Sequence, residues 1–185
     1  MKLSIKQVVF VLTGLIIISA TFFFYKSNYA VAAKKSGKKF GDWTVVCAAQ
    51  LKDSEESQQC FLMQYFFQKI KDENNKEQNV HYATYQIGYN QDGAIVMIQV
   101  LPQGLAIEAG TSIVSSKDLI ATGVFTTCDN NKCQARAIIS EEDLKKIVAN
   151  KQAGVAIMDF ATGTQQVIPM HTDGLEKGLK YLQKK

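Results

Sequence analysis

The residues with the clearest chemistry in this sequence are its four cysteines: Cys47, Cys60, Cys128 and Cys133. Their spacings are C-x12-C and C-x4-C, whereas structural zinc sites favour tighter pairs and would need His81 and His171 as further ligands. No C-x-x-C pair is present, which argues against a redox-active site. We therefore predict disulfides. Four cysteines allow three pairings, and the simplest is local, Cys47 with Cys60 and Cys128 with Cys133.

Residues suited to catalysis are few. The two histidines each have a structural explanation, and the carboxylate pairs Glu55-Glu56 and Glu141-Glu142 fit a solvated loop and a helix start. Motifs of hydrolases, metalloproteases, P-loop proteins and dinucleotide-binding proteins are missing from the sequence. We predict no catalytic residue, metal site or cofactor, and a protein that is not an enzyme.

The first 32 residues have the layout of a secretory signal peptide. A basic start is followed by an apolar run from Val8 to Tyr25 and by Ala30-Val31-Ala32, a small-x-small cleavage site. The apolar run is longer than most signal-peptide cores, so an uncleaved membrane anchor is the alternative. Both interpretations place the remainder outside the cytosol, in the periplasm, the outer envelope or the medium, or anchored to the inner membrane and facing the periplasm. An oxidising compartment of this kind favours disulfides.

The basic character of the chain belongs to its ends. Three of the 21 basic residues precede residue 33, which leaves 18 basic against 17 acidic residues. Four more lysines lie in a basic linker over residues 33–39, which we interpret as solvated, with contact to an anionic membrane as the alternative. Because Arg136 is the only arginine, a nucleic-acid partner is not expected.

Residues 40–185 form one domain that consists mostly of strands. His81 to Tyr89 alternates between apolar and polar residues, as half-buried strands do. In the run Phe61–Phe67 the odd positions are apolar, and we expect these side chains to pack in the core. Ala94 to Leu101 is almost wholly apolar, which predicts a central strand covered on both faces.

Two short helices interrupt the strands, over about residues 140–150 and 175–183. Ser140 is a suitable N-cap for the first helix, and a stripe of leucines defines the second. The predicted fold class is mainly β: an antiparallel β-sandwich or barrel with two short helices. Trp43 precedes a predicted half-cystine, and we expect its indole to be a core anchor.

Candidate contact residues lie on loops and on one aromatic strand. The polar stretch Lys71–Asn79 predicts a long hairpin loop with Asn74 and Asn75 at its centre. Tyr82 falls on the minor face of its strand, and Gln103 lies in the turn that ends the central strand. Rigid β-scaffolds often carry recognition on such loops, although the Lys71–Asn79 stretch is equally well explained as a tolerated insertion.

The order of several short motifs resembles the invasion-associated locus B family. The motifs run through the predicted domain: Phe40-Gly41-Asp42-Trp43, Cys47, Cys60-Phe61-Leu62-Met63-Gln64, Leu101-Pro102-Gln103-Gly104-Leu105, Gly110, Cys128-Asp129-Asn130-Asn131-Lys132-Cys133-Gln134-Ala135, Ile168-Pro169, Gly174-Leu175 and Gly178-Leu179. One departure is Lys132, where the family usually has glycine. The resemblance implies an envelope or secreted protein of Gram-negative bacteria in a family linked to host-cell invasion, and it supplies no catalytic residue.

Two functions fit these observations. The first is a non-catalytic exported protein that binds an unidentified partner, a host-cell protein or a bacterial envelope protein. The second is a periplasmic carrier whose β-structure encloses a small apolar ligand. In both cases the N-terminal segment offers a possible membrane association.

Overall fold

A computed structural model of the protein describes residues 36–48, 59–116, 118–150 and 152–183. The leader predicted for residues 1–32, residues 33–35 of the basic linker and the Glu55-Glu56 pair lie outside the described residues. Within these ranges no helix is long and apolar enough to cross a bilayer.

Ten strands form one antiparallel sheet. They are β1 (Lys39–Phe40), β2 (Trp43–Cys47), β3 (Cys60–Lys71), β4 (Glu77–Tyr89), β5 (Ile95–Leu101), β6 (Thr111–Ser115), β7 (Asp118–Cys128), β8 (Cys133–Ile139), β9 (Ala153–Met158) and β10 (Gln165–Met170). Their order across the sheet is β1-β2-β3-β4-β5-β8-β7-β6-β9-β10, and a short 3-10 turn (Ile107–Ala109) precedes β6. The mainly β, antiparallel fold class is confirmed.

The core lies on one face of this sheet, because the strands alternate between buried and more exposed residues. Burial alternates without interruption along β5, and Ala83, Tyr85 and Ile87 point inward from β4 as the sequence predicts. Trp43 on β2 is fully buried, in agreement with its expected role as a core anchor. We call this buried side the inner face and the opposite side the outer face.

The two ends of the sheet face each other, as in a sandwich. The Tyr85 hydroxyl on β4 donates a hydrogen bond to the backbone oxygen of Ile168 on β10, at 3.0 Å. Trp43 Nε1 donates to the backbone oxygen of His171, just after β10, at 2.9 Å. These contacts join residues that are more than 80 positions apart in the chain, so the fold depends on long-range pairing.

Both helices lie where the sequence predicts them: α1 (Glu141–Ala149) and α2 (Leu175–Gln183). Ser140 caps α1, because its Oγ accepts a hydrogen bond from the Asp143 backbone N–H at 3.0 Å. Gly178 in α2 lies against β3, where a Cβ atom would come within 2.6 Å of a Leu62 methyl group. This glycine therefore permits close helix–sheet packing, which offsets its poor helix propensity.

The structure corrects the predictions for the Phe61–Phe67 run and for the Lys71–Asn79 stretch. The odd positions of Phe61–Phe67 point to the outer face: Tyr65 and Phe67 are each 54% exposed, whereas Leu62 and Gln64 are buried. The predicted long loop at Lys71–Asn79 is mostly strand, since β3 extends to Lys71 and β4 begins at Glu77. Only the five residues between these strands form the turn.

Candidate binding surface

Two disulfides fasten neighbouring strands, with the local pairing that the sequence predicts. Cys47 and Cys60 lie opposite each other on β2 and β3 and are bonded, with a Cα–Cα distance of 4.0 Å. Cys128 and Cys133 close the turn between β7 and β8 in the same way. Both bonds hold strand ends at fixed positions and leave no free thiol in the part of the chain that the structure describes.

The two histidines do not form a common site. His81 Nε2 lies 2.7 Å from Thr84 Oγ1, and its ring meets those of Tyr65 and Phe67 edge-on, at 5.7 Å between centroids in both cases. His171 is exposed near Asp42, with 3.9 Å between Nδ1 and Oδ2. The described residues contain no cluster of three or more histidines, cysteines and carboxylates that could hold a metal ion.

Asn74 and Asn75 lie at the tip of a two-stranded arm that projects from the sheet. We define the arm as Phe67–Lys71 of β3 paired with Glu77–His81 of β4; in the described structure no further strand is paired with these residues. The Asp72 carboxylate orders the tip: Oδ1 accepts hydrogen bonds from the backbone N–H groups of Asn74 and Lys76, each at 2.9 Å. Asn75 has a left-handed backbone conformation, with φ of 61°. The tip is thus a defined turn.

Tyr82 lies at the base of the arm and is half-buried. Its ring meets Phe66 edge-on at 6.2 Å, and its hydroxyl donates to Oε1 of Gln166 on β10 at 3.3 Å. Partial burial raises the pKa of Tyr82 above the usual value, and the nearby Asp159 carboxylate adds to this effect. The side chain therefore links β4 to β10 and offers only part of its ring to a partner.

Gln103 lies at the same end of the sheet as the arm. Its Nε2 donates to the backbone oxygen of Asp129 in the β7–β8 turn, at 2.8 Å. Lys132 in that turn donates through Nζ to the backbone oxygen of His81, at 3.4 Å. The structure thus connects Gln103, the disulfide-closed turn and the arm through hydrogen bonds, whereas Asn74 and Asn75 lie beyond this network.

The most unusual surface is the outer face of β3, β4, β5, β8 and β7. Three rows of residues run across these strands, aligned by the strand register: Phe61-Gly88-Val96-Ile138, Met63-Gln86-Ile98-Arg136-Val124 and Tyr65-Thr84-Val100-Gln134. Ile138 and Val124 are 64% and 67% exposed. The solvated face of an antiparallel sheet is usually polar, so an apolar one indicates a contact surface.

Sequence reasoning did not find this surface. The almost wholly apolar run of β5 predicted a strand covered on both faces, and the structure shows that its outward side chains Val96, Ile98 and Val100 are only half-buried. The signal was present in the Phe61–Phe67 alternation, which we assigned to the core instead of the surface. Nothing local in the sequence distinguishes these two assignments.

Comparison with known proteins agrees with this architecture. The sequence matches the family described as Invasion associated locus B (IalB) protein over residues 43–183. The fold is similar to the crystal structure of invasion associated protein b from Bartonella henselae, with a TM-score of 0.61 and 16% sequence identity, over 78% of this chain and 92% of that one. A comparison with curated proteins found no match. Because the family match spans most of the chain, this protein belongs to the invasion associated locus B (IalB) protein family.

Proposed function

We propose that this protein is exported and acts without catalysis, by binding a host-cell or bacterial envelope protein through its outer face. The observation that carries the proposal is the apolar and partly exposed outer face of β3, β4, β5, β8 and β7. Its family is named for a link to invasion, and partner binding is the molecular role that such a surface supports. The two disulfides support residence in an oxidising compartment.

The filled interior favours surface binding over the carrier function. Trp43, Tyr85 and Met97 are each fully buried on the inner face, where an enclosed apolar ligand would have to lie. A carrier would need a cavity of several hundred Å³ among these side chains. The outer face instead offers apolar side chains that solvent reaches, among them Ile138 and Val124.

Charge substitutions on the outer face test partner binding. In the double variant Ile138→Lys and Val124→Lys, recovery of the partner by chemical cross-linking in envelope and host-membrane fractions should fall at least tenfold. The matched control is Phe160→Lys and Val167→Lys, which changes two exposed apolar residues near β10, 77% and 54% exposed. Equal recovery by the outer-face variant and the parent protein would contradict the proposal.

Export is tested separately by the mass of the protein in the envelope fraction. We expect a mature N-terminus at Ala33, after removal of residues 1–32. A species that retains Val8–Tyr25 would show that the segment is an inner-membrane anchor.

A further inference from the structure

A groove of about 300 Å³ lies on the outer face, near the start of β3 and the end of β4, where Gln59, Tyr89 and Asn90 form its rim. Phe61, Val96 and Ile98 form apolar walls, and Gly88 leaves the floor without a side chain. A Cβ atom at position 88 would lie 3.2 Å from the Phe61 Cβ atom, so any larger residue would fill the space. The groove therefore results from one glycine in a row of apolar residues.

Arg136 supplies the only charge in this groove. Its side chain is exposed, and within the described residues the guanidinium group makes no ion pair and no hydrogen bond. The amide group of Gln86 lies on the other side of Ile98 in the same row. Gln86 and Arg136 thus flank the apolar Ile98 side chain, and the guanidinium group has five N–H donors to offer.

The composition of the outer face matches the centre of a protein–protein interface. Aromatic residues, methionine and arginine are enriched in such centres, whereas lysine, glutamate and aspartate are depleted. The three rows contain Phe61, Met63, Tyr65 and Arg136 and no other charged residue. Five strands span roughly 20 Å, which suits a protein surface better than a single acyl chain.

The charge distribution argues against a second copy of this chain as the occupant. In a symmetric dimer formed through this patch, the Arg136 side chain of each copy would be buried against the apolar rows of the other copy. The three rows contain no carboxylate to pair with it, and an unpaired charge buried in an interface is strongly unfavourable. The occupant must bring its own negative charge.

We propose that Arg136 and the Gly88 groove recognise a carboxylate side chain within an apolar segment of the protein partner. The Arg136 guanidinium would bind the carboxylate through two parallel hydrogen bonds, a geometry that lysine cannot reproduce. The apolar residues on both sides of the carboxylate would pack on Phe61, Val96 and Ile98, where exclusion of water strengthens the ion pair. This inference rests on the proposed function, because it names the chemistry of the partner at the same surface.

The test uses two pools of fluorescent nonapeptides with capped ends and the purified mature protein. The central residue of the peptides is Asp in the first pool and Asn in the second. In both pools this residue is flanked by positions randomised among Val, Leu, Ile, Phe and Tyr, and the peptides end in glutamines. We expect fluorescence anisotropy to show at least tenfold tighter binding of the Asp pool. Arg136→Gln should abolish this preference and Arg136→Lys should retain part of it. The control Lys145→Gln, which removes an exposed cation from α1, should leave it unchanged.

Several results would overturn the inference. These are equal binding of the two pools, no binding of either pool, or a dimer in sedimentation that Arg136→Gln dissociates. Binding to anionic lipid vesicles in preference to the Asp pool would assign the surface to a membrane. The chain's own acids Asp53, Glu55 and Glu56 lie outside the described residues. If their replacement by Asn, Gln and Gln raised affinity for the Asp pool, acidic side chains of this chain, and not of a partner, would be the groups that bind in the groove.

Partner recovery separates failure of this inference from failure of the proposed function. If Arg136→Gln leaves recovery of the partner unchanged while Ile138→Lys with Val124→Lys abolishes it, the outer face binds a partner but does not recognise a carboxylate. If neither variant affects recovery, the outer face is not the contact surface. Melting temperatures of the variants at Arg136, Ile138, Val124 and Lys145 should match that of the parent protein, because these residues are exposed.

Discussion

The Gln64 side-chain amide forms two hydrogen bonds with the backbone of His171, which lies 107 residues later in the chain. Gln64 Nε2 donates to the His171 backbone oxygen at 3.1 Å, and the His171 N–H donates to Gln64 Oε1 at 3.0 Å. A single side chain on β3 thus imitates the pairing that a neighbouring strand would provide. It satisfies backbone groups just beyond β10, at one edge of the sheet, and holds the two ends of the sheet together.

Replacing Gln64 should therefore destabilise the fold without disturbing its core packing. Gln64→Leu removes two hydrogen bonds and leaves the His171 N–H without a partner, at a cost of about 2 kcal/mol in the free energy of unfolding. Gln68→Leu, at an exposed position on the same strand, is the matched control and should have little effect. Urea denaturation measures both. A Gln64→Leu variant as stable as the control would show that the two bonds are dispensable.

Trp43 donates to the same His171 oxygen and is also fully buried, so its role is structural. Trp43→Ala should cost about 3–5 kcal/mol, the range for truncation of a large buried aromatic side chain. Trp43→Phe keeps much of the packing and removes only the N–H donor, and we expect a smaller loss. Thermal unfolding followed by circular dichroism would rank the two variants. The role would be reassigned to binding if Trp43→Ala melted like the parent but lost its partner.

The two disulfides should contribute unequally to stability. In the chain-entropy account, the bond between Cys47 and Cys60, 13 positions apart, contributes about 3 kcal/mol, and the bond between Cys128 and Cys133, 5 positions apart, contributes about 2 kcal/mol. Paired Cys→Ser variants, compared by urea denaturation, would measure the difference. The opposite order would indicate that strand geometry outweighs loop length. Peptide mapping without reduction tests the pairing, and a Cys60–Cys128 peptide would contradict it.

Much of the fold was predictable because its signals are local. The alternation from His81 to Tyr89 identifies the inward residues of β4, and Ser140 with the acidic residues that follow marks the start of α1. These patterns depend on the period of a strand or helix and on capping, which short sequence windows contain. The predicted helix ranges differ from the observed ones by only one residue at each end of α1.

The candidate surface was not predictable, because it depends on distant residues. Alternation shows that Phe61–Phe67 has two faces but not which one is buried, and here the buried face carries Gln64, whose partner His171 is far away in sequence. Among the described residues Arg136 makes no ion pair, and the aligned positions on four other strands lack a carboxylate. The first fact depends on a contact between the two ends of the sheet, and the second on the register of non-consecutive strands, since β5 pairs with β8 and not with β6.

Gln99 gives a prediction of opposite sign, since its replacement should stabilise the protein. It is fully buried on β5, and neither atom of its side-chain amide has a hydrogen-bond partner among the described residues. Gln99→Met keeps the approximate volume and removes the cost of a buried unsatisfied amide, so unfolding free energy should rise by about 1–3 kcal/mol. Gln134→Met, at a partly exposed position on β8, is the control. A destabilised Gln99→Met variant would show that the amide is satisfied in solution.

The arm tip should lose its ordered turn in acid. Hydrogen bonds from the backbone N–H of Lys76, and then from Asn74 and the Gln78 side chain, lower the pKa of Asp72. Because the pKa of the carboxyl group is lower in the folded state than in the unfolded state, the ionised group stabilises the turn. This contribution is complete above the unfolded-state pKa of about 4 and is lost as the pH falls through the folded-state pKa. The amide NMR signals of Asn74 and Lys76 should therefore shift together below about pH 4. Asp72→Asn should abolish this titration, whereas Glu73→Gln, in the same turn, should preserve it. If Asp72→Asn leaves both amide titrations in place, the carboxylate does not order the tip.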